Sequence, residues 1–142
     1  MPSIKRESEL RTAYLAEVKR SWPSCIALRH EDVRWSGTPD LSQTAGGRTT
    51  WIEFKHATPE FSGTGLQEKI CSDLAREGFC RYVVWCDFAG FEKKTMIIHP
   101  RVVKASVGRP QARKPWLMEP EAVTMGFDHR WLVQYFQGIH RC

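Results

Sequence analysis

The residues whose types and spacing best suit chemistry are Asp40, Glu53 and Lys55. Glu53 and Lys55 are two positions apart in an alternating, β-branched and aromatic segment, so on a strand their side chains share one face. A hairpin between Asp40 and Glu53 would place the two carboxylates on adjacent strands. Clustered carboxylates repel each other, which raises the pKa of one of them unless a cation lies between them. The pattern therefore predicts a cation site.

Mg²⁺ meets that requirement because it takes hard oxygen ligands, keeps several waters and binds substrate phosphates in its remaining positions. The backbone carbonyl of Phe54, between Glu53 and Lys55, is a natural additional ligand. Lys55 would hold or polarise the attacking water and stabilise charge on the phosphate. We therefore expect Asp40, Glu53 and Phe54 to hold the metal in a phosphate-ester hydrolase.

Amphipathic patterns define the elements that must position these residues. A helix is predicted over residues 5–22, with an apolar face through Leu10, Tyr14 and Val18, and with Arg11 among the basic residues of its remaining positions. Gly46-Gly47 suits a hairpin turn. A capping box from Thr64 to Gln67 opens a second helix, which ends at Gly78. Strands are predicted at 25–30, 49–56, 81–86 and 94–99. The order is α-β-β-β-α-β with an additional strand, which predicts an α/β fold with a mixed central sheet flanked by helices.

Pro39-Asp40 followed by Glu53-Phe54-Lys55 resembles the active-site signature of the PD-(D/E)XK nucleases. Ser36-Gly37 before it and Gln67 after it resemble the VRR-NUC branch and its archaeal Holliday-junction-resolvase relatives. The resemblance covers about residues 5–88. It implies a restriction-endonuclease-like αβββαβ core at 5–99, with a basic loop and C-terminal extension at 100–142, in a single nuclease domain spanning 1–142.

The resemblance also implies an activity: metal-dependent endonucleolytic cleavage of DNA with Mg²⁺ or Mn²⁺, on branched, junction or flap DNA or without specificity. In these families the first helix supplies a glutamate, and the spacing favours Glu7 over Glu9 and Glu17 as a catalytic and metal-binding residue. Gln67 is either a catalytic residue or only the capping-box residue. Glu7 is alternatively a solvated charge that favours the helix dipole.

Each of the central residues also has a purely structural interpretation. Asp40 alternatively shapes the Thr38-Pro39-Asp40 turn. Glu53 and Lys55 alternatively form a surface ion pair of little energetic value. On the functional interpretation, Asp40, Glu53 and Lys55 act together as the catalytic group.

The charge balance favours an anionic partner, because 21 basic and 16 acidic residues give a net charge of +5 and a pI near 9.1. Residues 101–118 carry five of the basic residues and no acid. They form a solvated loop or, given a nuclease core, contact the DNA backbone. The predicted DNA contacts are Ser36, Arg34, Lys104, Arg109, Arg113 and Lys114. A homodimer is possible, because resolving a junction requires two symmetric cuts.

The five cysteines form an odd set without a C-x-x-C pair, which argues against a disulfide framework or a zinc knuckle. The sequence shows neither a membrane-spanning apolar run nor a signal-peptide stretch. We therefore expect a cytoplasmic protein. The nuclease resemblance further implies a prokaryotic or phage-infected cell and a role in DNA repair or recombination. The alternatives are a non-catalytic DNA-binding or accessory protein on the same fold and a phage protein that binds a host partner.

Overall fold

In a computed structural model of the protein, the described residues are 7–30, 37–61, 65–105 and 114–141, without the side chains of 104 and 105. The helices are α1 (Glu7–Ser21), α2 (Gly65–Glu77), α3 (Pro100–Ala105) and α4 (His129–Arg141), with a 3₁₀ turn at Pro115–Leu117. The strands are β1 (Ile26–Arg29), β2 (Leu41–Ala45), β3 (Arg48–Ala57), β4 (Cys80–Cys86), β5 (Lys94–Ile98) and β6 (Ala122–Met125).

The strands form one mixed sheet whose spatial order follows the chain, β1-β2-β3-β4-β5-β6. β3 and β4 are parallel, and the other neighbours are antiparallel. A parallel pair needs a crossover connection, and α2 supplies it. The predicted order of elements is therefore observed through β5.

A tight hairpin sets the register between β2 and β3. Gly46 and Gly47 have φ values of +60° and +77°, and the flanking residues Ala45 and Arg48 pair across the strands. Two consecutive left-handed residues are what a two-residue type I′ turn requires, and glycine adopts that conformation without steric cost. The hairpin predicted from Gly46-Gly47 is therefore present.

Alternation along β3 separates the apolar core from the polar residues of interest. Ile52 and Phe54 are fully buried in the cluster that also contains Leu10 and Tyr14 of α1. Their neighbours Glu53 and Lys55 project from the opposite face of the sheet. α1 and α4 thus cover one face, and α2 and α3 cover the other.

The C-terminal residues are built into the same sheet and core. β6 pairs with β5, and α4 adds Leu132, Val133 and Phe136 to the cluster that contains α1. The sequence left residues 128–137 open between a helix and a strand, and they form most of a helix. In the part of the chain that the structure describes, no helix has the length and apolar character to span a bilayer.

A buried hydrogen bond ties α1 to the sheet. The hydroxyl of Tyr14 donates to Oε1 of Gln43 on β2 at 2.7 Å, and both residues are fully buried. Burial raises the pKa of Tyr14 well above its ordinary value. Among the described residues, no atom accepts a hydrogen bond from Nε2 of Gln43. In the described part of the chain, the buried Gln43 amide is therefore hydrogen-bonded through its oxygen, by Tyr14, and not through its nitrogen.

We expect Tyr14→Phe to lower the free energy of unfolding by ~1–3 kcal/mol in urea titrations, because it strands a buried amide oxygen. Adding Gln43→Met should recover part of that loss, since replacing both partners by apolar groups is nearly neutral. A double variant less stable than Tyr14→Phe would contradict this account of the pair.

Candidate active site

The β2–β3 pairing brings Asp40 and Glu53 together. Leu41 is opposite Ile52, so Asp40, which precedes β2, lies beside Glu53. The Asp40 backbone N–H donates to Oε1 of Glu53 at 3.0 Å, and the Phe54 N–H donates to Oδ2 of Asp40 at 2.9 Å. The Glu53 carboxylate thus accepts a hydrogen bond from the backbone before β2, and the Asp40 carboxylate accepts one from the backbone of β3. These two hydrogen bonds hold both side chains in place.

Lys55 and Gln67 contact the second oxygen of Glu53. Nζ of Lys55 is 3.5 Å from Oε2 of Glu53, and the side chains of these residues are only 7% and 4% exposed. Nε2 of Gln67 on α2 donates to the same oxygen at 3.0 Å. A surface ion pair of Glu53 and Lys55 is therefore excluded. Gln67 reaches across to β3, while Thr64, its predicted capping partner, lies outside the described residues.

Burial of the Glu53 carboxylate raises its pKa well above the usual glutamate range. The negative charge of Asp40 raises the pKa of Glu53 further, and the Lys55 ammonium opposes the increase. Desolvation and a like charge both disfavour the ionised form. Electrostatically, this site gains from additional positive charge between its carboxylates.

Glu7 is the helix glutamate that contacts β3 next to Lys55. Its Oε1 accepts a hydrogen bond from the backbone N–H of His56, the residue after Lys55, at 3.4 Å. Glu17, one of the alternatives, instead pairs with Arg20 on its own helix. Glu9, the other alternative, is exposed.

Arg11 is a site residue that the sequence analysis placed among the basic residues outside the apolar face of α1, with no role at the site. Its Nη1 donates to Oδ1 of Asp40 at 3.0 Å, and its side chain is only 13% exposed. One turn of helix separates it from Glu7, so both residues lie on the same face of α1. The spacing of four residues shows that Arg11 shares a face with Glu7. Assigning Arg11 to the site from sequence would also require the orientation of α1 relative to the sheet.

Gly37 brings the segment before Asp40 against the start of α2. Its φ is +92°, and a Cβ there would lie 3.0 Å from side-chain atoms of Leu66 and Ile70 and 3.1 Å from the Gln67 backbone nitrogen. Any other residue would combine a strained backbone with a close contact. Glycine thus permits the close approach of this segment to the helix that supplies Gln67.

The predicted DNA contacts are largely untested by the structure. Ser36, Arg34, Arg109 and Arg113 lie outside the described residues, as does the side chain of Lys104. Lys114 is described, and its half-exposed ammonium is 3.9 Å from Oε1 of Glu60.

The oxygen donors at the site suit a hard divalent cation. Asp40 and Glu53 provide two adjacent carboxylates, and the Phe54 N–H bonds Asp40, which places the Phe54 backbone beside them. In residues 7–30, 37–61, 65–105 and 114–141, no group of three or more His, Cys, Asp or Glu side chains is arranged to hold a metal. Mg²⁺ does not need such a group, because it binds through one or two carboxylates and keeps several waters. The residues present therefore fit Mg²⁺.

No protein-family model and no curated protein matches the chain. Among solved structures, the fold is similar to that of Hjc, a Holliday junction resolvase from the archaeal hyperthermophile Archaeoglobus fulgidus, with a TM-score of 0.52 and 12% identity. The similarity covers 78% of this chain and 90% of that one. The predicted fold class is thereby confirmed: a restriction-endonuclease-like fold with a mixed sheet flanked by helices. Membership of the VRR-NUC branch stays a prediction.

The raised pKa of Glu53 predicts how stability depends on pH in EDTA. Above about pH 4.5 the unfolded chain loses the Glu53 proton while the folded protein retains it, so stability falls as pH rises towards the folded-state pKa. Glu53→Gln removes this titration. Its free energy of unfolding should therefore fall less steeply with pH than that of the wild type.

Urea titrations at several pH values measure both slopes. The matched control is Glu77→Gln, which removes an exposed carboxylate at the end of α2 and should keep the wild-type slope. Equal slopes for Glu53→Gln and wild type would show that Glu53 ionises normally.

Proposed function

We propose that the protein is a metal-dependent DNA endonuclease that hydrolyses phosphodiester bonds. The observation that carries the proposal is the Asp40–Glu53 carboxylate pair, with Glu53 buried, Asp40 partly buried and Lys55 beside Glu53, on a resolvase-like fold. Two adjacent carboxylates, one of them buried, are costly to keep ionised together. A divalent cation bound between the carboxylates would stabilise their ionised forms and could also bind a phosphate.

Asp40, Glu53 and the Phe54 carbonyl would hold one or two Mg²⁺ ions, or Mn²⁺, with Glu7 supporting them from α1. A bound ion of this kind activates water and stabilises charge on a phosphoryl oxygen. Lys55 orients the nucleophilic water and offsets the charge that develops on the phosphate. Gln67 is a positioning residue, because its hydrogen bond fixes the carboxylate of Glu53.

The substrate class follows from charge and from the resemblance in sequence and fold. A net charge of +5 favours binding to the DNA backbone, which positions a duplex without reading its sequence. We therefore propose cleavage of branched DNA such as junctions or flaps, with Ser36, Arg34, Lys104, Arg109, Arg113 and Lys114 as candidate phosphate contacts. Symmetric junction cleavage would use a homodimer. A cytoplasmic location in a prokaryotic or phage-infected cell suits the free thiols of Cys25, Cys71, Cys80 and Cys86.

Cleavage of labelled four-way junction, flap, linear duplex and single-stranded DNA tests this proposal. Wild type should cut in Mg²⁺ or Mn²⁺ and stop in EDTA, and Asp40→Asn and Glu53→Gln should each abolish cutting, because both remove a metal-binding carboxylate. Glu17→Gln on the same helix as Glu7 should retain wild-type activity. A folded wild type that cuts none of these DNAs would overturn the proposal and favour a binding or host-interaction role.

Lys55→Met should separate rate from metal binding. The methionine keeps the buried aliphatic stem but removes the charge that acts on water and phosphate. Single-turnover cleavage should slow by ~10²–10³-fold, while calorimetry should still detect metal binding. Lys69→Met, which removes an exposed ammonium paired with Asp73 on α2, is the matched control and should cut normally. Cleavage by Lys55→Met at the wild-type rate would remove Lys55 from the mechanism.

A further inference from the structure

Arg11 forms an ion pair with Asp40, the carboxylate that would bind the metal in the proposed nuclease. Its guanidinium bonds Oδ1 of Asp40 at 3.0 Å, while the Phe54 N–H takes Oδ2. Both oxygens of Asp40 therefore already accept from the protein. The inference below rests on the proposed function and concerns what happens to this ion pair when Asp40 binds a metal.

The ion pair places positive charge beside Asp40. Asp40 and Glu53 are close enough for their charges to interact, and Lys55 contacts only the Glu53 side of the pair. Arg11 supplies positive charge on the Asp40 side, at a side-chain exposure of 13%. Among the described residues, Lys55 thus lies beside Glu53 and Arg11 beside Asp40, so each carboxylate has a cationic side chain next to it.

A divalent ion and this guanidinium compete for the same carboxylate. A ligand of Mg²⁺ must lie about 2.0–2.1 Å from the ion, and an arginine within hydrogen-bond distance of that carboxylate would then repel the ion at short range. The long arginine side chain can leave Asp40 without any movement of α1. Its planar, fixed-charge fork also matches the oxygens of a phosphate, which it can bind through two parallel hydrogen bonds.

We infer that Arg11 exchanges partners during the functional cycle. It neutralises Asp40 in the metal-free protein, releases that carboxylate when Asp40 binds a divalent ion, and then donates to a non-bridging oxygen of the DNA phosphate. Arg11 is thereby both the competitor that sets metal affinity and a substrate-binding residue. The alternative is a structural ion pair that persists in every state.

Calorimetric titration with Ca²⁺ and thermal unfolding test the release of Asp40. Arg11→Gln should bind Ca²⁺ at least about fivefold more tightly than wild type, because the metal no longer displaces a cation. In EDTA its Tm should be lower than that of wild type, since the carboxylates lose a compensating charge. In saturating Ca²⁺ the difference in Tm should disappear, because Arg11 no longer bonds Asp40 in that state.

Binding of a labelled DNA junction in Ca²⁺ tests the second half of the exchange. Arg11→Gln should bind it several-fold more weakly than wild type, and Arg11→Lys should recover part of the affinity through its charge. Arg20→Gln is the matched control. Arg20 is an exposed arginine on the same helix, and it pairs with Glu17 instead of Asp40. It should match wild type in both metal affinity and DNA affinity.

The outcomes separate this inference from the proposed function. A Tm deficit of Arg11→Gln that persists unchanged in saturating Ca²⁺, with wild-type metal affinity, would show a structural ion pair and overturn the inference. DNA affinity equal to wild type would overturn the phosphate contact. Both results leave the proposed nuclease intact if wild type binds Ca²⁺ and Asp40→Asn does not. No Ca²⁺ or Mg²⁺ binding by wild type would overturn the proposed function itself.

Discussion

The carboxylate of Glu53 is buried between the sheet and α2, and the groups around it compensate for that burial. A buried carboxylate needs hydrogen-bond donors and opposite charge, because its solvation is lost. The Asp40 backbone, Gln67 and Lys55 supply both, from the segment before β2, from α2 and from β3 itself. The crossover through α2 is therefore part of the site as well as of the fold.

The packing of α1 combines apolar burial with polar contacts next to the site. It contributes an apolar face through Leu10 and Tyr14 to the core, and it carries Glu7 and Arg11 to the strand segments that hold Lys55 and Asp40. The buried bond from Tyr14 to Gln43 helps to select the observed position.

The hairpin and the carboxylate pair could be predicted from sequence because they depend on local signals. Two glycines determine a two-residue turn, the turn determines the register, and alternation then assigns Glu53 and Lys55 to one face. Arg11 could not be predicted in this way, since which basic residue of a helix meets a carboxylate 29 positions away depends on tertiary packing. The role of α4 also escaped prediction. Its apolar face indicates a buried helix, but only the assembled sheet shows that this face closes the core over α1.

The most direct test of the central claim is a crystal structure of the wild-type protein with Mn²⁺, located by its anomalous scattering. We predict a peak coordinated by oxygens of both Asp40 and Glu53, with the Arg11 guanidinium no longer bonded to Asp40. A structure grown in saturating Mn²⁺ with no peak between these carboxylates, and with the Arg11–Asp40 pair intact, would contradict the assignment of this site as a nuclease metal centre.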